Sequence, residues 1–199
     1  MRITGGTLRS RRLVAPKGDL TRPTTDRVRE ALFSALIARG ALPSGARVLD
    51  LYAGTGALSF DALSRGASFA VLVDKDRAAA AAIRDNAAQL GVASQVQLLH
   101  APVDKALSTL ARGTAPAFDL VFVDPPYARV ASPELSQELA QCVTWLTSDG
   151  VLVLEHGKRD PAPMVPGLAW DETRAYGDTH VSLGTRTARL VPPHLTPDA

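Results

Sequence analysis

From residue 46 onward, short apolar runs alternate with longer stretches in which apolar side chains return every three or four positions. The runs Val48-Leu49-Asp50-Leu51, 69–73, 96–99, 118–123 and 151–154 are too short for helices and read as strands buried on both faces. Between them, helices are predicted over about 57–65, 77–90, 103–110 and 133–146, the second of these stopping at Gly91. This alternation predicts a mostly parallel, doubly wound α/β sheet. The tail changes character: 170–176 and 180–190 read as an antiparallel pair around Gly177-Asp178. Ahead of the sheet, Thr24-Thr25-Asp26 offers a helix N-cap. Val28, Leu32, Phe33, Leu36 and Ile37 follow at helical spacing until Gly40 and Pro43. Residues 1–24 open as a short hairpin, with Arg2-Ile3-Thr4, a Gly5-Gly6 turn and 11–14 before Pro16. One domain is expected over 1–199, with 1–24 as a basic appendage.

Composition narrows the class. At 199 residues with 46% hydrophobic and 21% charged side chains, the chain suits one well-buried globular domain. No run of about 18 uncharged apolar residues occurs, so no membrane span is expected. Met1-Arg2-Ile3-Thr4 has no apolar signal core, and a cytoplasmic location is expected. The single cysteine, Cys142, excludes an internal disulfide and a cysteine-based metal site; it reads as core filler in a helix near Trp145. His100, His156, His180 and His194 lack metal-ligand spacing, so no metal is expected.

Net charge is only +2, but it is segregated. Residues 1–29 hold eight basic side chains (Arg2, Arg9, Arg11, Arg12, Lys17, Arg22, Arg27, Arg29) against Asp19 and Asp26, a net of +6. The remaining 14 basic and 18 acidic residues give −4. Cations gathered at one end point to a polyanionic partner.

In an open parallel sheet, ligands bind beyond the carboxyl ends of the strands near the switch in strand order. The first strand ends in Asp50-Leu51-Tyr52-Ala53-Gly54-Thr55-Gly56-Ala57-Leu58. Gly54 and Gly56 allow a tight turn and close approach of a ligand to the backbone, and the following helix directs free N–H groups at it. A dinucleotide fingerprint would need a third glycine where Ser59 stands. Asp50 would also repel a pyrophosphate, whereas it can accept a hydrogen bond from an ammonium. S-adenosylmethionine carries that ammonium and no phosphate. The second strand ends in Val73-Asp74, where a carboxylate can hold both ribose hydroxyls.

The fourth strand ends in Asp124-Pro125-Pro126-Tyr127. The lone pair of an aromatic amine is delocalised into its ring, so methylating it requires acceptors that draw its protons outward. Asp124 supplies one acceptor and the Pro125 carbonyl a second. Two prolines hold the loop rigid, and Tyr127 offers a face on which a planar base can stack, worth about 1–3 kcal/mol. Aligning nitrogen, carbon and sulfur can contribute about 7–11 kcal/mol, and no covalent enzyme nucleophile is required. These residues specify an exocyclic amine; adenine N6 in DNA suits them as well as guanine N2. No separate target-recognition domain for base-edge readout is expected. A protein glutamine acceptor fits the basic arm poorly. A non-catalytic RNA-binding assembly factor would be expected to have lost Asp124 or the glycine turn. A cytosine-C5 mechanism would need a thiol in the loop.

The whole chain resembles the bacterial small-subunit ribosomal RNA guanine-N2-methyltransferases, the D-type 16S rRNA methyltransferases. The likeness rests on Arg2-Ile3, Gly5-Gly6, the narrow segment Arg22-Pro23-Thr24-Thr25-Asp26-Arg27-Val28-Arg29-Glu30-Ala31-Leu32-Phe33, the glycine turn, the Asp124–Tyr127 loop, and Tyr176-Gly177-Asp178-Thr179. The resemblance implies a Rossmann-like class I methyltransferase fold and S-adenosylmethionine as donor. It implies a guanine of 16S rRNA in a small-subunit particle as acceptor; separately, a monomer is expected. By the same resemblance, Asp50, Tyr52, Ala53, Gly54, Thr55, Gly56, Asp74 and Lys75 line the donor pocket. Asp124, Pro125, Pro126 and Tyr127 form the base pocket, and Arg9, Arg11, Arg12, Arg22, Arg27 and Arg29 face RNA. Thr24 and Thr25 are placed near the methionine end of the donor. Related enzymes often follow the third strand with an Asp or Asn for the donor adenine; here the stretch is His100-Ala101-Pro102-Val103. That contact stays unassigned.

Overall fold

A computed structural model describes residues 1–15, 25–112 and 117–187. Seven strands form one sheet in the order β3-β2-β1-β4-β5-β7-β6. They are β1 (Arg47–Leu51), β2 (Phe69–Asp74), β3 (Val96–His100), β4 (Phe118–Val123), β5 (Leu146–Gly157), β6 (Leu168–Tyr176) and β7 (Thr179–Arg186). The first five pair in parallel; β7 pairs antiparallel with both β5 and β6. Helices α1 (Asp26–Ala38), α2 (Ala57–Ser64), α3 (Arg77–Leu90), α4 (Val103–Ala111) and α5 (Pro133–Trp145) cover the two faces. Strand order reverses between β1 and β4, the place where an open α/β sheet accepts ligands.

The period of two along each central strand divides the core. Val48, Leu72, Leu120, Phe122, Val151 and Val153 join Leu32, Phe33, Leu36, Phe60 and Ile83 on the side of α1, α2 and α3. Leu49, Leu51, Val73, Val121, Leu152 and Leu154 join Leu107, Leu139 and Val143 on the side of α4 and α5. Each such side chain contributes about 1.5–3 kcal/mol through burial. Phe33 meets Phe122 edge to face at 5.9 Å, which fastens α1 to β4.

Local chemistry sets the helix ends. The hydroxyl of Thr25 accepts from the N–H of Val28 at 3.3 Å, Asp76 caps α3 through the N–H of Ala79 at 2.8 Å, and Ser132 caps α5 ahead of Pro133. Gly91 ends α3 in the left-handed region at φ 74°.

Three elements differ from the sequence expectation. The amino-terminal hairpin is a single bridge between Arg2 and Arg12. The backbone in between turns onto α2: the N–H of Thr7 donates to the Ser64 carbonyl at 2.7 Å and the N–H of Leu8 to the Ser64 hydroxyl at 2.9 Å. β5 starts at Leu146, through the polar Thr147-Ser148-Asp149-Gly150, with a register shift against β4 between Phe118 and Leu120. β7 runs to Arg186; residues 188–190 of the expected strand lie outside the described residues.

Candidate active site

The turn after β1 is built on left-handed backbone at Tyr52 (φ 61°), Gly54 (φ 54°) and Gly56 (φ 76°). At Gly56 a Cβ would lie 2.7 Å from side-chain carbons of Leu72 and Phe60, so nothing larger fits. At Gly54 it would meet nothing within 4 Å, which leaves the backbone open to a ligand. Tyr52 holds its strained conformation by anchoring its ring. Its hydroxyl donates to Glu138 on α5 at 2.6 Å, and the Arg129 guanidinium, itself 3.0 Å from Glu138, sits 5.7 Å from the ring centroid. Burial and the Glu138 carboxylate push the Tyr52 phenol above its ordinary pKa.

Asp74 closes the other side of the turn. One of its oxygens accepts from the N–H of Gly54 and the other from the N–H of Asp76, each at 2.8 Å. Asp74 is half-buried and keeps lone pairs for further donors; Lys75 beside it is exposed. Ala53 is locked to β2 through the Val73 carbonyl at 3.0 Å.

Parity along the strands explains the acidic side chains here. Asp50, Asp124 and Glu155 continue the rows of Val48, Phe122 and Val153, so all three fall on the α2 side. Asp50 is buried and accepts from the Ser59 hydroxyl of α2 at 2.7 Å. Its pKa rises from 3.8 to about 7, mainly through burial, against the opposing Ser59 hydrogen bonds and with added repulsion from Asp74. The Asp124 carboxyl is also held well above the ordinary range, first by burial and then by Glu155 and Asp50. Asp124 retains partial solvent access, and its backbone N–H reaches the Leu51 carbonyl at 3.4 Å. The carboxyl ends of β1 and β4 are thereby held together.

Pro125 is buried and Pro126 leads into a 3-10 turn, Tyr127–Arg129. Tyr127 is 44% exposed, and its hydroxyl is 3.1 Å from that of Thr179 at the start of β7. A planar group can lie on this ring beside Asp124.

The arginines separate into distinct environments. Arg9, Arg12 and Arg27 are exposed. Arg11 is exposed too, with its guanidinium donating to the Gln89 carbonyl on α3 at 2.8 Å. Arg29 departs from the expected RNA-facing role, being only 1% exposed. Its Nε donates to buried Asp61 at 3.0 Å, and its Nη2 to Asp26 at 2.9 Å and to the Arg2 carbonyl. It holds α1, α2 and the amino-terminal segment together. Arg22 and Thr24 lie outside the described residues.

Buried polar side chains behind the turn complete the site. Asn86 on α3 is fully buried; its amide nitrogen donates to the Thr55 carbonyl at 3.1 Å and the Val14 carbonyl at 3.0 Å, and its oxygen accepts from the Val14 N–H at 2.7 Å. One side chain therefore ties the glycine turn to the amino-terminal segment, where the Thr55 hydroxyl also approaches the Met1 sulfur at 3.4 Å. Ser59 and Glu138 are likewise structural partners of site residues. His156 shares a 2.8 Å hydrogen bond with Ser182 inside the sheet, and Cys142 is a buried thiol pushed upward in pKa by its surroundings. Among the described residues, no group of three His, Cys, Asp or Glu side chains is arranged to hold a metal ion, and no helix is long and apolar enough to cross a membrane.

Residues 1–185 match the family described as Conserved hypothetical protein 95. Among curated proteins, the Ribosomal RNA small subunit methyltransferase D of Escherichia coli (strain K12) is 37% identical over 166 residues, covering 83% of this chain and 79% of that one. Among solved structures, a hypothetical protein of Thermus thermophilus, TTHA0928, is 33% identical with a TM-score of 0.76, over 94% of this chain and 99% of the other. SMU.776, solved in complex with SAH, shares the fold at 16% identity and a TM-score of 0.60, over 80% of this chain and 48% of its own.

Proposed function

The chain belongs to the Conserved hypothetical protein 95 family, alongside the ribosomal RNA small subunit methyltransferases D, and from that membership we propose that it methylates the exocyclic N2 amine of a guanine in 16S rRNA. The donor is S-adenosylmethionine. Its pocket is the glycine turn: open backbone at Gly54, with Thr55 and Gly56 leading into α2, the carboxylates of Asp50 and Asp74, the ring of Tyr52, and Ala53 and Lys75 at the margin. These groups fit an ammonium, a pair of ribose hydroxyls and no phosphate. SMU.776, which has the same fold, is complexed with the demethylated form of this donor. When bound, the donor supplies an electrophilic methyl group on sulfur.

The observation that carries the proposal is the placement of Asp124 and Tyr127. A carboxyl with a raised pKa stands at the end of β4, directly beside the turn after β1, next to an exposed aromatic face. Asp124 and the Pro125 carbonyl accept the two amine protons and turn the nitrogen lone pair outward. Transfer of the donor's methyl group to this nitrogen would break the methyl–sulfur bond and leave S-adenosylhomocysteine, and Asp124 in its ionised form takes the extra proton that the methylated nitrogen then carries. A raised pKa suits that step, since it makes the ionised form a stronger base. Tyr127 stacks the base, which must be unpaired or flipped to enter, at a cost of a few kcal/mol. Exposed Arg9, Arg12 and Arg27, with Arg11 and Arg22, contribute phosphate contacts. The substrate is a partly assembled small-subunit particle in the cytoplasm, met by a monomer.

The test is methyl transfer from labelled S-adenosylmethionine to naked 16S rRNA and to small-subunit particles lacking the modification. Label is expected as N2-methylguanine, lost by about 10²–10⁴-fold in Asp124→Ala. Donor binding without transfer to either RNA would redirect the assignment to a DNA or protein amine, or to a non-catalytic assembly factor. Failure to bind the donor would overturn it.

A further inference from the structure

The turn after β5 carries two cations with no part in the site described above. Lys158 and Arg159 are consecutive, both exposed, and neither engages a carboxylate among the described residues. Cations nearer the other end of the sheet are engaged: Arg39 pairs with Asp171 at 2.9 Å and Glu172 at 3.1 Å, and Arg186 donates to the Leu146 carbonyl at 3.0 Å.

The backbone fixes where these two charges sit. The N–H of Asp160 donates to the Gly157 carbonyl, and the N–H of Lys158 to the Asp178 carbonyl of the β6–β7 turn, both at 3.0 Å. The 157–160 turn is thus closed on itself and pinned to the β6–β7 turn. Tyr127 leans on the same place. A Cβ on Gly157 would lie 4.0 Å from Cγ of Tyr127, and the Tyr127 hydroxyl reaches Thr179, which is paired with Gly157 across the sheet. That Cβ would also come within 2.8 Å of the Asp160 carboxylate. Gly157 therefore leaves room for the Asp160 carboxylate to fold over the turn, with the Tyr127 ring at ordinary contact distance, and the next two side chains along the chain are Lys158 and Arg159.

We infer that Lys158 and Arg159 form a phosphate-contact site for the RNA strand flanking the base stacked on Tyr127. This rests on the RNA reading above and is distinct from the cations of residues 1–29. A nucleotide presents its phosphates together with its base, so cations fixed beside the stacking face meet the backbone once the base is seated. Phosphate contacts of this kind set register and orientation and carry no sequence information themselves. The Lys158 and Arg159 side chains hold the acceptor strand at the ring; the amino-terminal cations hold RNA elsewhere.

The experiment measures affinity for a 16S rRNA fragment across salt concentrations, together with steady-state methylation. It compares the wild type, K158Q/R159Q and R9Q/R12Q. Each lost phosphate contact should reduce the slope of log K against log salt by about 0.7–0.9. K158Q/R159Q should lose the equivalent of about two contacts, with a raised KM for RNA and an unchanged Kd for S-adenosylmethionine. Thermal denaturation, expected to be unchanged for these exposed side chains, verifies the fold. A K158Q/R159Q protein with the wild-type slope and KM, on RNA that the wild type does methylate, removes this site alone. A wild type whose RNA affinity is absent or independent of salt removes the RNA assignment as well.

Discussion

Asp50→Asn isolates the cost of the buried carboxyl beneath the donor turn. In the unfolded chain Asp50 ionises near 3.8; in the folded protein burial delays ionisation to about 7. The folded-state pKa is the higher one, so stability is fullest at low pH and is lost as pH climbs from 3.8 through about 7. Each pH unit in that window is worth about 1.4 kcal/mol, so between about pH 5 and pH 8 the wild type should lose about 3 kcal/mol through this group. Asparagine has the same shape, and its oxygen can still accept from Ser59, but it carries no charge. Urea unfolding of both proteins at pH 5, 6.5 and 8 gives the difference directly. Any fixed offset from the new amide cancels, and the pH dependence of the difference is the readout. Relative to wild type, Asp50→Asn should gain about 3 kcal/mol on going from pH 5 to pH 8. A difference that stays flat across this range would mean that Asp50 is ionised throughout, and the proposed effect of burial would be wrong. In the proposed donor pocket the same proton would govern binding: an ammonium held by Asp50 needs it ionised, so affinity for S-adenosylmethionine should rise with pH up to about 7.

Arg29→Met should cost about 1.5–3 kcal/mol, because it removes one of the two guanidinium partners of the buried Asp61 carboxylate, which keeps Arg65 and Thr4, while Arg12→Gln should stay within about 0.5 kcal/mol by denaturation; equal effects would refute the division between them. Asn86→Leu leaves the Val14 N–H and the Val14 and Thr55 carbonyls without their partner, for a loss of about 1–3 kcal/mol. It should also speed tryptic cleavage at Arg9, Arg11 and Arg12, and unchanged cleavage would count against the latch. Tyr127→Ala should weaken RNA binding by about 1–3 kcal/mol of stacking, and Tyr127→Phe, which gives up only the Thr179 contact, by far less; similar losses in both would assign the role to the hydroxyl.

Regular elements were legible where composition and period agreed. The run Val48–Leu51 and the helix stop at Gly91 each carry one unambiguous signal. The start of β5 was not, since Thr147-Ser148-Asp149-Gly150 has the chemistry of a turn and is held as strand only by its neighbours. The antiparallel pair was legible, but no local pattern says that β7 enters beside β5 and leaves β6 at the edge. In the site, the turn and loop residues stood out by type. Arg29 misled because a cation in a basic segment looks solvent-facing, although its spacing to Leu32, Phe33 and Leu36 puts it on the buried stripe of α1. Asn86 shares a stripe with Ile83, Ala87 and Leu90 in the same way. A polar residue inside an apolar period was the signal available for both. Ser59 and Asp61 gave none, since α2 is buried nearly all round.

The amino-terminal segment, bound through Ser64, Gln89 and Asn86, bears on how the protein would meet its partner. A floppy basic tail gains contacts only by surrendering chain entropy at the moment of association. Here residues 1–15 have surrendered it during folding, so Arg9 and Arg12 wait on a surface already shaped. Association through them should therefore proceed as between rigid bodies, with the small heat-capacity change of a polar interface and without the large negative one that accompanies coupled folding.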